Sequence, residues 1–198
     1  MSYRHLEKLL EFNSPLPVTE DWSAAPDFLE LISHYCLENR PLNIVECSSG
    51  TSSSVLARCC QINKCGCVYS LENAIEFADK TRSQLKDFSL SDDCDVLYAP
   101  LKSVMLQDEV YQWYDLQELP AIKIDMLVID GPPGFIQKHS RYPALPLLHD
   151  RLSKDCAIFL DDAARDDEQA LVKRWQHDYP EFHLEYIENE RGCAILKR

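Results

Sequence analysis

The chain has 198 residues, 45% of them hydrophobic, with 20 Lys and Arg against 33 Asp and Glu for a formal charge of −13. That length suits one domain with its own core, and the composition excludes a disordered or collagen-like chain. An acidic surface repels phosphate backbones, no Lys/Arg-rich run offsets it, and no stretch nears the roughly 18 apolar residues of a spanning helix. No nucleic acid and no membrane is therefore expected as a partner; a small molecule or another protein is. The start, MSYRHLEKLLEF, has no signal-peptide core, and the nine cysteines are an odd number. Both point to free thiols in a reducing cytoplasm.

In chain order, Phe28, Ile32 and Tyr35 mark a helix before the first strand. Five short apolar runs follow: 43–47 (NIVEC), 67–71 (CVYSL), 95–99 (DVLYA), 124–130 (IDMLVID) and 156–160 (CAIFL). Their near-continuous hydrophobicity suits parallel strands buried on both faces. Between them, Ala74, Ala78, Thr81, Leu85 and Phe88 share one helical stripe, as do Leu171, Val172, Trp175 and Tyr179. The chain closes on 182–187 and 193–196 around a turn with Gly192, which reads as an antiparallel hairpin. The expected fold is one α/β domain: a Rossmann-like, doubly wound sheet of seven strands, mostly parallel, with that hairpin at its end.

In such sheets ligands bind beyond the carboxyl ends of the strands. Four of the five runs end on carboxylates: Glu46, Glu72, Asp130, and the pair Asp161–Asp162. The first loop, Glu46-Cys47-Ser48-Ser49-Gly50, leads into a helix from Thr51, where small residues admit a close ligand and free N–H groups face it. It lacks the G-x-G-x-x-G of dinucleotide binders, and an acid at the strand end suits a sulfonium or ammonium better than a pyrophosphate. Glu72 is placed to accept both hydroxyl hydrogens of a ribose, although an acid before a helix also serves as a cap.

The segments VECSSGTSS (45–53), YSLE (69–72), DMLVIDGPPG (125–134) and IFLDDAAR (158–165) resemble class I S-adenosylmethionine-dependent methyltransferases over about residues 40–198. The resemblance implies a cofactor-binding core of 41–198 with 1–40 as an N-terminal helical elaboration, expected with the loop 134–142 to cover the site. Within that class, WYD (113–115), DGPPG (130–134) and RYPALPLL (141–148) resemble methyltransferase family 24, and the acidic strand ends are similar to the catechol O-methyltransferase branch. The resemblance implies methyl transfer from S-adenosylmethionine to a small-molecule acceptor, expected at oxygen. It implies cofactor contacts from Glu46, Cys47, Ser48, Ser49, Gly50, Ser52, Ser53, Ser54, Glu72, Asn73, Ala99, Pro100, Leu101, Asp130 and Gly131. Asp130, Asp161 and Asp162 match positions that hold Mg²⁺ or another divalent cation in catechol-type enzymes. Such an ion would bind the acceptor hydroxyl and lower its pKa.

Two departures stand out. The usual loop glycines are Ser48 and Ser52, and the catechol-type catalytic Lys is Pro133. The base then falls to Asp130 or to a residue of the following loop, with His139 chosen over Lys138 and Arg141. Rival readings are a cofactor-binding module without turnover, an NAD-dependent oxidoreductase and a metal-dependent hydrolase. Cys59, Cys60, Cys65 and Cys67 lack paired C-x-x-C spacing and read as core rather than zinc ligands.

Overall fold

The computed structural model describes residues 2–20 and 22–198. A short helix α1 (Tyr3–Leu9) is followed by α2 (Pro26–Asn39), β1 (Asn43–Cys47), α3 (Thr51–Asn63), β2 (Cys67–Glu72), α4 (Ile75–Asp87) and β3 (Cys94–Tyr98). Next come β4 (Leu101–Leu106), β5 (Glu109–Tyr114), β6 (Ile124–Ile129), α5 (Ala144–Leu148), β7 (Leu152–Leu160), α6 (Asp166–Asp178), β8 (His183–Ile187) and β9 (Cys193–Lys197).

Seven strands form one sheet in the order β3-β2-β1-β6-β7-β9-β8. From β3 to β7 all pairings are parallel; β9 slots in antiparallel to both β7 and β8. The order reverses at β1, so the crevice outside its carboxyl end, between neighbours β2 and β6, is the switch point where ligands bind in open α/β sheets.

Successive residues of the central strands feed opposite faces. Ile44, Met126, Val128 and Phe159 join α2 and α3 residues such as Phe28, Ile32, Val55 and Leu56. Val45, Leu127, Ile129, Ile158 and Leu160 join Trp113, Tyr142, Leu145 and Trp175 on the other side. This two-sided burial is what the unbroken apolar runs encode.

α2 begins with Pro26 at its first turn, where the missing N–H costs nothing, and ends on Arg40 in the left-handed region at φ 52°. Its buried Phe28, Leu29 and Ile32 share a core with β1 and α3, so the boundary after residue 40 marks no break in packing.

β4 and β5 were not among the expected elements. They pair antiparallel as a separate two-stranded hairpin, Leu101 opposite Tyr114 and Leu106 opposite Glu109. All nine cysteines are free thiols. Among the described residues no helix is long and apolar enough to cross a membrane.

Candidate active site

Two cavities open at the carboxyl ends of the strands. One, of about 350 Å³, lies beside the β1–α3 loop and is lined by Ser48, Ser49, Gly50, Ser52, Glu72 and Asn73, with Phe77, Lys80 and Thr81 of α4. The other, of about 640 Å³, is lined by Arg141, Asp162, Arg165, Glu168 and Arg191. Both volumes fall in the range of roughly 300–1,000 Å³ usual for small-molecule sites. Trp22, Ser48, Asp130, Pro133 and Phe135 belong to both linings, so the cavities meet there.

The smaller cavity is built around Glu72. Its Oε2 accepts from the Ser49 amide and the Ser49 hydroxyl, each at 3.0 Å, and its Oε1 accepts from the Ala74 amide at 3.1 Å. The carboxylate therefore both fixes the first loop and caps the start of α4, and it still lines the cavity with lone pairs to spare.

Glu46 does a different job. It is buried beneath the loop, where Oε2 accepts from Ser53 Oγ at 2.5 Å and Ser70 Oγ at 2.6 Å. The Gly50 amide in turn donates to Ser53 Oγ, so Glu46 organises the loop from below and lines neither cavity. Burial pushes its carboxyl up to about 7, against the serine bonds that pull it down.

The remaining expected cofactor residues divide. Cys47, Ser53, Ser54, Ala99, Pro100, Leu101 and Gly131 line neither cavity. The Ala99 amide donates to the Glu72 carbonyl and the Pro100 carbonyl accepts from Asp115, which ties this turn into the backbone. Gly131 shapes the junction from behind: a Cβ there would strike the Tyr114 hydroxyl and come within 3.0 Å of the Ser48 Cβ.

Residues 1–40 were expected over the site without any being named, and part of them forms a strap over the smaller cavity. Pro17, Thr19, Trp22, Ser23 and Ala24 line it. Thr51 Oγ1 at the start of α3 donates to the Pro17 carbonyl at 2.7 Å and lies 3.1 Å from Ser23 Oγ, while Lys80 Nζ donates to Thr19 Oγ1 at 3.3 Å. The Trp22 ring meets Phe135 edge-on at 6.3 Å, although the two side chains are 60% and 79% exposed. Phe77, exposed beside the buried stripe of α4, carried the one sequence signal of this wall.

His139 and Lys138 line neither cavity. His139 sits in a left-handed turn at φ 53°, and its Nε2 is buried without a partner among the described residues. Arg141 lines the larger cavity as a fixed cation; against the burial that would depress it, Asp130, Asp162 and Glu168 raise its pKa, so it cannot act as a base. Asp130 is the remaining candidate base that reaches both cavities. Burial is the main cause that raises its carboxyl above the usual range, opposed by Arg141 and reinforced by Asp162.

Asp130, Asp161 and Asp162 each offer a carboxylate oxygen within 4.8 Å of the others. A cation already stands among them. The Arg141 side chain is only 3% exposed, with Nη2 donating to Asp162 Oδ2 at 2.8 Å and Asp130 Oδ1 at 3.2 Å. Its Nη1 donates to the Asp161 carbonyl at 2.9 Å and lies 3.6 Å from Glu168 Oε1. An ion bonded to these carboxylates would lie within about 5 Å of the guanidinium, where a doubly charged cation is repelled by roughly 7 kcal/mol at an effective dielectric constant of about 20.

Burial, with Asp130 and Asp162 beside it, also pushes the Asp161 carboxyl up. Asp161 Oδ2, Asp162 Oδ1 and Glu168 Oε2 are buried without protein partners, but three spare oxygens around a guanidinium fall short of the roughly six or more ligands a hard divalent cation takes. The residues do not fit a divalent ion while Arg141 is in place.

No protein-family model and no curated protein matches the sequence. Solved structures match across nearly the whole chain. The methyltransferase PaMTH1 of Podospora anserina, bound to S-adenosylhomocysteine, is similar with a TM-score of 0.70 at 13% identity over 98% of this chain and 86% of that one. An O-methyltransferase of Bacillus cereus in complex with S-adenosylhomocysteine gives 0.68 at 16% over 99% and 90%. The O-methyltransferase TomG of Streptomyces achromogenes, in complex with S-adenosylmethionine, gives 0.66 at 12% over 98% and 86%. The chain thus has the class I methyltransferase fold.

Proposed function

We propose that the protein is an S-adenosylmethionine-dependent methyltransferase acting on an oxygen of a small molecule. The observation that carries this reading is the meeting of two ligand-sized cavities at Ser48 and Asp130, at the switch point of the sheet. Neighbours of this fold bound to S-adenosylmethionine or S-adenosylhomocysteine support it.

The cofactor supplies an electrophilic methyl group on a sulfonium. In this reading the Glu72 carboxylate accepts from the ribose hydroxyls, and the serine loop and the start of α3 border the methionine portion. Trp22 and Phe135 border the junction from the strap and from the loop after β6. The acceptor lies in the larger cavity with its hydroxyl against Asp130. Bound S-adenosylmethionine would supply the methyl group and leave as the neutral thioether, while Asp130 would accept the proton of the acceptor hydroxyl. Such a reaction depends chiefly on alignment, which rigid cavity walls supply.

Calorimetric titration with S-adenosylmethionine tests the reading. Micromolar binding is expected, with Glu72→Ala weakening it tenfold or more, as about 1.5–3 kcal/mol per hydrogen bond to a charged group implies. Unchanged affinity in Glu72→Ala would remove the ribose role, and no binding by the unaltered protein would remove the cofactor. Methylated product from any hydroxyl acceptor would exclude a binding module without turnover.

A further inference from the structure

We propose that Arg141 is the resident cation of the Asp130–Asp161–Asp162 cluster and stands where a divalent ion would otherwise bind, so that the protein holds no metal at this rim. Only the catalytic meaning of the inference rests on the methyltransferase reading.

The guanidinium is fixed rather than passing through. Two of the three acids are spent on it directly, and the third gives it a main-chain carbonyl. Glu168, from the first turn of α6, adds a fourth acidic residue at 3.6 Å. On its other side Asp162 Oδ2 meets a second guanidinium, Arg165 Nη1, at 2.9 Å. A planar fork can bridge two carboxylates in a way that neither a lysine nor a solvated ion reproduces.

The main chain that carries Arg141 is pinned on both sides. Ser140 Oγ donates to the Pro132 carbonyl at 2.9 Å, and the buried Trp175 indole donates to the Tyr142 carbonyl at 3.0 Å. With the backbone held there and the side chain 3% exposed, an incoming ion could displace the guanidinium only by leaving a buried charge without partners.

Manganese titration followed by electron paramagnetic resonance tests this on the full chain, stripped of metal with chelator and without cofactor or acceptor. The unaltered protein should show no saturable site at micromolar Mn²⁺, only the weak, non-saturating uptake of an acidic surface. Arg141→Gln, which removes the charge and keeps polar reach, should gain one site per chain with an affinity raised about tenfold or more. Arg141→Lys, which keeps a charge there, serves as the comparison for folding by circular dichroism and should gain none.

One saturable Mn²⁺ site in the unaltered protein would overturn the proposal, as would a folded Arg141→Gln that gains nothing. If Arg141→Gln does not fold, the titration of the unaltered protein decides. Because this readout involves no S-adenosylmethionine, it stands apart from any failure of the methyltransferase reading.

Discussion

At Ser48 the backbone turns to φ 96°, outside the region comfortable for a residue with a Cβ. The turn is forced: the Ser48 amide donates to the Leu71 carbonyl at 2.9 Å, and the Cys47 carbonyl accepts from both Asp130 and Gly131. Glycine is the residue such a bend favours, which is why the resemblance expects one here. Strain of this kind costs on the order of 1–3 kcal/mol, whereas a glycine loses roughly 0.5–1 kcal/mol more entropy on folding. Ser48→Gly should therefore stabilise the protein by about 1 kcal/mol, read as a rise of a few degrees in Tm. The serine hydroxyl makes no hydrogen bond among the described residues, so nothing offsets the gain. A fall in Tm would show that the φ is not a strained one in solution.

The strap of residues 16–20 and 22–24 is tied at its ends, where the Leu16 amide donates to Glu7 Oε1 at 2.8 Å and Tyr3 and Arg191 donate to the Ala24 and Ser23 carbonyls, and the Thr51 hydroxyl anchors it to α3. That hydroxyl bridges the Pro17 carbonyl and Ser23 Oγ. Thr51→Val keeps the shape and removes the bridge, which is worth about 0.5–1.5 kcal/mol. Amide hydrogen exchange over the strap should then quicken by about three- to tenfold while Tm moves little; unchanged exchange would mean that the Tyr3, Lys80 and Arg191 bonds hold the strap without it. That the N-terminal residues cover the site was legible, but not which of them, because the segment has no periodicity and its partners are scattered over α1, α3, α4 and Arg191. The β4–β5 hairpin escaped for a different reason. Its two-residue turn, Gln107–Asp108, takes φ of 48° and 71°, the conformation that normally advertises itself as Asn-Gly or Asp-Gly. The strands of the main sheet were legible because burial on both faces leaves unbroken apolar runs, and strand ends then located Glu72 and Asp130 at the cavities. What a strand end cannot reveal is which way its carboxylate turns. Glu46 turns down into its serines, and the path of 131–143 decides that Arg141 rather than His139 reaches the rim.

Across the whole molecule, two acidic features push stability the same way with pH. The formal charge of −13 at pH 7 is self-repulsion spread over a surface whose pI is near 4.8, and it shrinks as the solution is acidified. Glu46 adds a buried contribution. Its carboxyl titrates near 7 when folded but near 4.5 when the chain is open, because burial favours the neutral form. Between those values the native state holds the proton and the unfolded chain does not, so the native state binds more protons and stability falls as pH rises through that window. The difference of about 2.5 pH units corresponds to about 3 kcal/mol, present in full below pH 4.5 and gone above pH 7. The carboxylates held low, Asp178 by His177 and Glu181 by His149, work in reverse and lose their contribution only as pH drops below the ordinary carboxylate range. Stability measured by urea unfolding should therefore peak in mildly acidic solution, near pH 5–6, and decline towards pH 8. Glu46→Gln, an uncharged side chain of the same shape, should make that decline shallower, leaving the share of Asp130 and Asp161, whose carboxyls burial also raises, and keep the protein at least as stable as the parent at pH 8. A decline as steep in Glu46→Gln as in the parent would show that Glu46 is ionised beneath its loop. The carboxylate would then be held by the Ser53 and Ser70 hydroxyls more strongly than burial opposes it.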